Sequence, residues 1–237
     1  MILTVDVGNT SVMSGIFSGD NLVLHWKIKT STVKKRYQTV LKREMERKRI
    51  PARDIQGVIV SSVVPPLNAF FANLTKECFK KRPLFISARL STGMPILYPR
   101  PEEVGADRIA NAIGAFEKYG GPVIVIDTGT ATTFDVINEK GEYMGGAIAP
   151  GMELAARALF KETARLPFIH LALPRRVVGR STRTAMISGI YYGAVGQIKE
   201  ILMRIKEEAG WKRPKVILTG GQAGMIAVSY THLTLPT

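Results

Sequence analysis

The chain has 237 residues, 46% of them hydrophobic and 8% aromatic, and its 33 Lys and Arg against 19 Asp and Glu give a net charge of +14. That length supports one large domain or two smaller ones, with a core that hides roughly 70% of the unfolded surface. No apolar run approaches the ~20 residues of a membrane span, and Met1-Ile2-Leu3-Thr4-Val5-Asp6 has none of the features of a secretory leader. Cys78 is the sole cysteine, so a disulfide framework within the chain is excluded. Together these features point to a cytoplasmic protein that favours anionic partners such as nucleotides, nucleic acid or acidic metabolites.

Leu3-Thr4-Val5, Ser11 to Phe17 and Leu22 to Ile28 read as three strands, joined by turns at Gly8-Asn9 and at Ser18-Gly19-Asp20-Asn21. A basic segment, Lys34 to Arg49, follows. Its apolar Tyr37, Val40, Leu41 and Met45 recur at helical spacing, so it predicts an amphipathic helix with a solvated basic face. It has no interleaved aromatics or base-reading side chains, which argues against nucleic acid as a partner. Gly57 to Ser61 is a buried strand, Pro65-Pro66 opens a helix to about Lys80, and Leu84-Phe85-Ile86 is a short strand. Ala88 to Val104 is Pro-rich and irregular, and Gly105 to Lys118 is helical.

The same pattern then restarts. Val123 to Ile126 is a strand, Asp127-Thr128-Gly129-Thr130 a turn, and Ala131 to Ile137 a strand; after a turn at Asn138 to Glu142, Tyr143 to Ala149 is a third strand. A helix begins near Gly151-Met152, a long one spans about Thr182 to Ala209, Val216 to Leu218 is a strand, and Gly220-Gly221 leads into a short helix. Three meandering strands followed by alternating helices and strands thus occur twice, predicting two similar α/β halves over 1–118 and 119–226. From 227 to 237 the chain contains no Lys, Arg, Asp or Glu and reads as a foreign or truncated C-terminus, so that stretch, His232 included, is set aside from functional reasoning.

The sequence has neither a G-x-x-x-x-G-K-[ST] phosphate loop nor a G-x-G-x-x-G fingerprint, no Cys/His set with metal spacing and no Ser/His/Asp signature. What remains is Asp and Gly at strand ends. In Asp6-Val7-Gly8-Asn9-Thr10-Ser11, Gly8 lets the backbone approach a phosphate, successive N–H groups make an anion-binding concavity, and Asn9, Thr10 and Ser11 add short donors. Asp6 repels phosphate, so its partner would be Mg²⁺ or the water around it. One such turn can equally be an ordinary Asp-capped hairpin; its recurrence at Asp127-Thr128-Gly129-Thr130 favours two walls of a polyphosphate cleft. Gly105-Ala106-Asp107-Arg108 is open to two readings, a helix cap with a surface ion pair, or a proton acceptor beside an anion-gripping guanidinium. Thr182 sits at an expected helix N-cap, and Gly145-Gly146 through Gly151 is a strand-to-helix turn suited to close ligand approach.

Asp6-Val7-Gly8-Asn9-Thr10, Ser61-Ser62-Val63-Val64-Pro65-Pro66, Gly105-Ala106-Asp107-Arg108, Asp127-Thr128-Gly129-Thr130-Ala131-Thr132 and Gly145-Gly146 through Gly151 stand in the order found in type III pantothenate kinases, which the chain resembles from residue 1 to about 226. The resemblance implies the acetate and sugar kinase, heat-shock chaperone and actin superfamily: duplicated ribonuclease H-like halves, each a mixed sheet with flanking helices, clasping ATP in the cleft between them. It implies an ATP phosphate loop from Asp6 through Val7, Gly8, Asn9, Thr10, Ser11 and Val12 to Met13, with a further ATP contact at Thr130. Asp107 would be the proton acceptor; Tyr98, Gly105, Ala106, Asp107, Arg108 and Thr182 would contact pantothenate. Asp127 would bind the K⁺ or NH₄⁺ that the family requires, Mg²⁺ would accompany ATP, and the protein would be a homodimer with the long helix after Thr182 in its interface. Past Thr219-Gly220-Gly221 the chain departs from the family, which continues with a further helical segment.

Overall fold

The structure, a computed structural model, describes residues 1–229; positions 230–237, His232 among them, lie outside that range. Two compact units divide the chain, one formed by Met1–Gly93 with Pro99–Asn111, the other by Met94–Tyr98 with the chain from Ala112 onward.

The first unit is built on a five-stranded sheet in the order β3-β2-β1-β4-β5: β1 (Ile2–Val7), β2 (Ser11–Ser18), β3 (Asn21–Lys29), β4 (Gly57–Ser62) and β5 (Leu84–Phe85). The first three form an antiparallel meander, and β4 pairs parallel to β1. A parallel neighbour needs a crossover, which α1 (Val33–Arg47) supplies. Alternation puts Leu3, Val5 and Val7 of β1 into the core, and Val33, Tyr37, Leu41 and Met45 of α1 meet them there with Phe71 and Leu74 of α2 (Asn68–Phe79). Each such side chain contributes roughly 1.5–3 kcal/mol by burial. Tyr37 stands edge-on to Phe71 at 5.0 Å between ring centroids, and its hydroxyl shares a 2.6 Å hydrogen bond with Ser14 Oγ. Burial pushes its phenol well above the ordinary tyrosine range, with Ser14 a smaller opposing influence. The cations of α1 stay in solvent, where Arg43 and Arg47 flank Glu44.

The second unit carries a four-stranded sheet in the order β8-β7-β6-β9, from β6 (Val123–Thr128), β7 (Ala131–Ile137), β8 (Tyr143–Pro150) and β9 (Lys215–Thr219). Again three strands meander antiparallel and the fourth joins the first in parallel. Val123 to Ile126 are all buried, as a strand flanked on both edges and covered on both faces requires. The helices are α3 (Ala106–Tyr119), within which the division between units falls, α4 (Met152–Glu162), α5 (Thr182–Glu208) and α6 (Ala223–Ala227). Met152, Met186, Ile190, Ile198 and Leu202 pack α4 and α5 onto Ile124, Ile126 and Leu218. No helix among the described residues is long and apolar enough to cross a membrane.

The repeated meander therefore appears as two sheets of like topology, an α/β architecture of duplicated ribonuclease H-like halves. One difference from the sequence reading lies at the start of α5. Thr182 is its first helical residue and Ser181 is the cap, because Ser181 and Thr184 form a reciprocal capping box: Ser181 Oγ accepts from the Thr184 N–H at 3.3 Å and Thr184 Oγ1 from the Ser181 N–H at 3.0 Å.

Candidate active site

The first turn leaves the sheet where β1 ends. Asp6 pairs with Met13 on one side and with Ser61 on the other, and Ser61 Oγ donates to Asp6 Oδ1 at 3.0 Å. The Gly8 N–H donates to the Ser11 carbonyl at 3.1 Å, and a Cβ on Gly8 would stand 3.1 Å from that same oxygen. Thr30 pins the turn from β3's end, its hydroxyl donating to the Gly8 carbonyl at 2.7 Å and its N–H to the Thr10 carbonyl at 3.1 Å. Asp6, Asn9 and Thr10 are exposed on the resulting hairpin. This is a rigid turn with a carboxylate at its base and backbone donors at its tip, suited to an anion that carries its own cation.

In the same unit, the start of α3 lies beside the end of β4: a Cβ on Gly105 would be 3.6 Å from Val63 Cγ1 and 2.6 Å from Asp107 Oδ1. Asp107 Oδ1 accepts the Arg108 N–H at 2.8 Å, so the carboxylate is oriented by the first turn of the helix. Arg108 is buried and Asp107 half-buried. The structure thus gathers Asp6 to Met13 and Gly105 to Arg108 at one end of the first sheet.

The second unit repeats the arrangement. Asp127 pairs with Thr133 and with Thr219, the positions that correspond to Met13 and Ser61, and the Gly129 N–H donates to the Ala131 carbonyl at 3.0 Å. Thr128 Oγ1 donates to the Thr219 carbonyl at 3.0 Å. Two further glycine turns close on this one. The Gly151 N–H donates to the Thr130 carbonyl at 3.1 Å, and a Cβ there would stand 2.6 Å from that oxygen. Gly220, at φ +96°, has no room for a side chain because a Cβ would collide with Asp127 Oδ1 and stand 2.6 Å from Thr128 N. Tyr98 and Thr182 also belong to this unit, Tyr98 half-buried over Gly145 and Thr182 exposed at the head of α5.

Sequence reasoning found the aspartates and glycines but gave no role to Ser61, Thr30 or the Gly220 approach. The one available signal was a hydroxyl at the same register of each parallel strand, Ser61 on β4 and Thr219 on β9. Oxygen donors alone line these turns, and no cluster of three or more His, Cys, Asp or Glu able to hold a metal occurs among the described residues.

Comparison with known proteins agrees. A sequence model of the type III pantothenate kinases matches residues 2–204. A type III pantothenate kinase of Moorella thermoacetica is 45% identical over 228 residues, 95% of this chain and 89% of that protein; one from Myxococcus xanthus is 43% identical over 229 residues, 96% and 89%. Among solved structures, the activator of 2-hydroxyisocaproyl-CoA dehydratase from Clostridium difficile, with bound ADPNP, superposes with a TM-score of 0.57 at 13% identity, over 99% of this chain and 88% of that one. Component A of (R)-2-hydroxyglutaryl-CoA dehydratase from Acidaminococcus fermentans gives 0.57 at 12%, over 99% and 91%. These two share the fold. The relatives share far more, and with two aspartate–glycine turns in matched register and a match to the family over most of its length, this chain belongs to the type III pantothenate kinase family.

Proposed function

We propose that the chain transfers the γ-phosphoryl group of ATP to the primary hydroxyl of pantothenate, giving 4′-phosphopantothenate at the entry to coenzyme A biosynthesis. The observation that carries this reading is the family match at 45% identity across 95% of the chain, joined to the intact Asp6, Asp107 and Asp127. In this reading the turn from Asp6 to Met13 holds the ATP phosphates and Thr130 adds a contact. Asp107 orients the substrate hydroxyl and accepts its proton late, since the transition state is loose and catalysis is mostly positioning and charge neutralisation. Gly105, Ala106, Arg108, Tyr98 and Thr182 hold pantothenate, with Arg108 matched to its carboxylate.

Mg²⁺ fits Asp6 as a single carboxylate beside substrate phosphates, and a monovalent cation, K⁺ or NH₄⁺, fits Asp127, whose Oδ1 any side chain at position 220 would meet. These cations would supply positive charge to the phosphates and the charge developing on them. ATP consumption with pantothenate, run in K⁺ and then in Na⁺, tests the reading. Turnover is expected in K⁺ and a loss of at least tenfold in Na⁺, a loss that Asp127→Asn reproduces in K⁺. Pantothenate left unmodified while another alcohol or a carboxylate is consumed, or salt-sensitive nucleic-acid binding without ATP turnover, defeats it.

The working protein is a cytoplasmic homodimer in this reading. Helices α4 and α5 flank a groove of about 1190 Å³ lined by Leu154, Leu159, Ala185, Gly189 and Gly193. Leu154, Leu159 and Phe160 remain exposed near it, and a Cβ on Gly189 or Gly193 would meet nothing within 4 Å. An apolar face with small residues on its long helix suits a second copy of the same helix. Sedimentation equilibrium should return a dimer at micromolar concentration and a monomer for Gly189→Glu. A monomeric wild type rules the dimer out.

A further inference from the structure

We propose that Tyr143, anchored by Asp135, is a positioning residue that sets the orientation of Tyr98 and, through it, the fit of pantothenate. The inference rests on the substrate contact assigned to Tyr98 in the proposed function. Tyr143 opens β8 and is fully buried, and its hydroxyl donates to Asp135 Oδ1 at 2.8 Å; Asp135, on β7, is fully buried as well. A core that needed only volume would hold an apolar side chain at either place. A buried carboxylate and phenol are costly unless hydrogen-bonded, and once bonded they fix a single ring orientation.

What that ring supports is the irregular stretch before α3. The Tyr143 N–H donates to the Pro95 carbonyl at 2.8 Å, the Leu97 N–H donates to the Tyr143 carbonyl at 2.9 Å, and Ile96 forms a parallel bridge to Tyr143. These backbone bonds bring Tyr98 against the Tyr143 ring, centroids 5.9 Å apart and planes at 54°. On its other flank Tyr98 lies over Gly145, where φ is +134° and a Cβ would stand 3.1 Å from Tyr98 Cε1. Tyr98 thus meets Tyr143 as a pinned aromatic surface and Gly145 as a gap the width of a side chain. Between Tyr143 and Gly145 the ladder slips, Ile137 pairing with Tyr143 and Val136 with Gly145, so Met144 is the extra residue of a bulge and strict alternation is broken there. Tyr98 is therefore seated against β8.

Steady-state kinetics with pantothenate varied at saturating ATP, on wild type, Tyr98→Ala, Tyr143→Phe and the double variant, with thermal unfolding of each, tests this. Tyr143→Phe keeps the ring and the backbone bonds and removes the hydroxyl that donates to Asp135. It is expected to raise the pantothenate KM about fivefold, with kcat and the KM for ATP within twofold of wild type. In the Tyr98→Ala background it should add nothing further, because the residue it acts through is gone. Gly145→Ala, which sets a methyl against the Tyr98 ring at a φ of +134° that strains an L residue, should raise the same KM and, read beside its own unfolding temperature, serves if Tyr143→Phe does not fold. Effects of Tyr98→Ala and Tyr143→Phe that multiply, or a parallel change of kcat and both KM values with the unfolding temperature, would overturn the proposal. A wild type that turns over pantothenate while Tyr143→Phe and Gly145→Ala leave its KM unchanged sinks this inference alone; a wild type that leaves pantothenate untouched takes the functional reading with it.

Discussion

Asp107→Asn is expected to lower kcat by about 10²–10⁴-fold while ATP still binds with its wild-type affinity. The asparagine keeps the shape of the carboxylate and its capacity to accept the Arg108 N–H, which Asp107 Oδ1 takes at 2.8 Å, so the first turn of α3 should hold. What it loses is the ability to take the proton of the attacking hydroxyl. Because that loss is felt in the transition state and not in the bound ground state, kcat and kcat/KM should fall together. Steady-state kinetics paired with calorimetric titration of a non-hydrolysable ATP analogue measures both halves of the expectation. Turnover within tenfold of wild type would remove Asp107 from the chemistry. Loss of nucleotide binding alongside turnover would instead make it a structural residue of the phosphate site.

The second large effect is expected at Gly220. Its φ of +96° lies where an L side chain is strained, and a Cβ would collide with Asp127 Oδ1 while standing 2.6 Å from Thr128 N and 2.7 Å from Thr128 O. Gly220→Ala must therefore move the Asp127–Thr130 turn or the end of β9, at a cost of about 1–3 kcal/mol. For a chain of this size that amounts to a fall in unfolding temperature of roughly 2–4 °C per kcal/mol. Nucleotide affinity should fall more than tenfold, and the response to K⁺ should go with it, since the displaced carboxylate is the one proposed to hold that cation. Gly221→Ala is the matched control, for a Cβ there meets nothing within 4 Å. Differential scanning fluorimetry with and without ATP reports both. Equal behaviour of the two alanine variants would show that the turn tolerates displacement and that its placement does not matter to the site.

Much of the fold was legible because its elements are written in short-range patterns. The buried run Val123 to Ile126, the alternation through β1 and the apolar spacing of Tyr37, Leu41 and Met45 each name their own structure. The two turns were legible because the same Asp-x-Gly spacing recurs at a strand end in each half, where one such turn alone could equally be an ordinary Asp-capped hairpin. Long-range partners were not. Ser61 reaches Asp6 across 55 residues, and Thr128 reaches the Thr219 carbonyl across 91; no local pattern encodes either. Thr182 was misplaced by one residue because Ser181-Thr182-Arg183-Thr184 offers two hydroxyls for the cap, and only the spacing to Thr184 decides between them. Tyr143 read simply as a strand residue, since the carboxylate that pins it sits on the neighbouring strand and the ring it supports lies in a segment without periodicity.

The two sheets keep their aspartates in matched register, yet their turns differ in aperture. Val7 pairs with Val12, leaving four residues to make the reversal, whereas Thr128 pairs with Thr132 and leaves three. One residue more means one additional peptide plane at the tip of the first turn, and so one more N–H that the strands do not consume. The two halves are thus alike in topology and unlike at the tip of this hairpin. Both turns draw a glycine N–H inward, Gly8 onto Ser11 and Gly129 onto Ala131, so the extra N–H of the first is the difference that remains, and in the proposed function it would face the phosphates. In the proposed function, a division of labour between the halves would come down to the length of a hairpin.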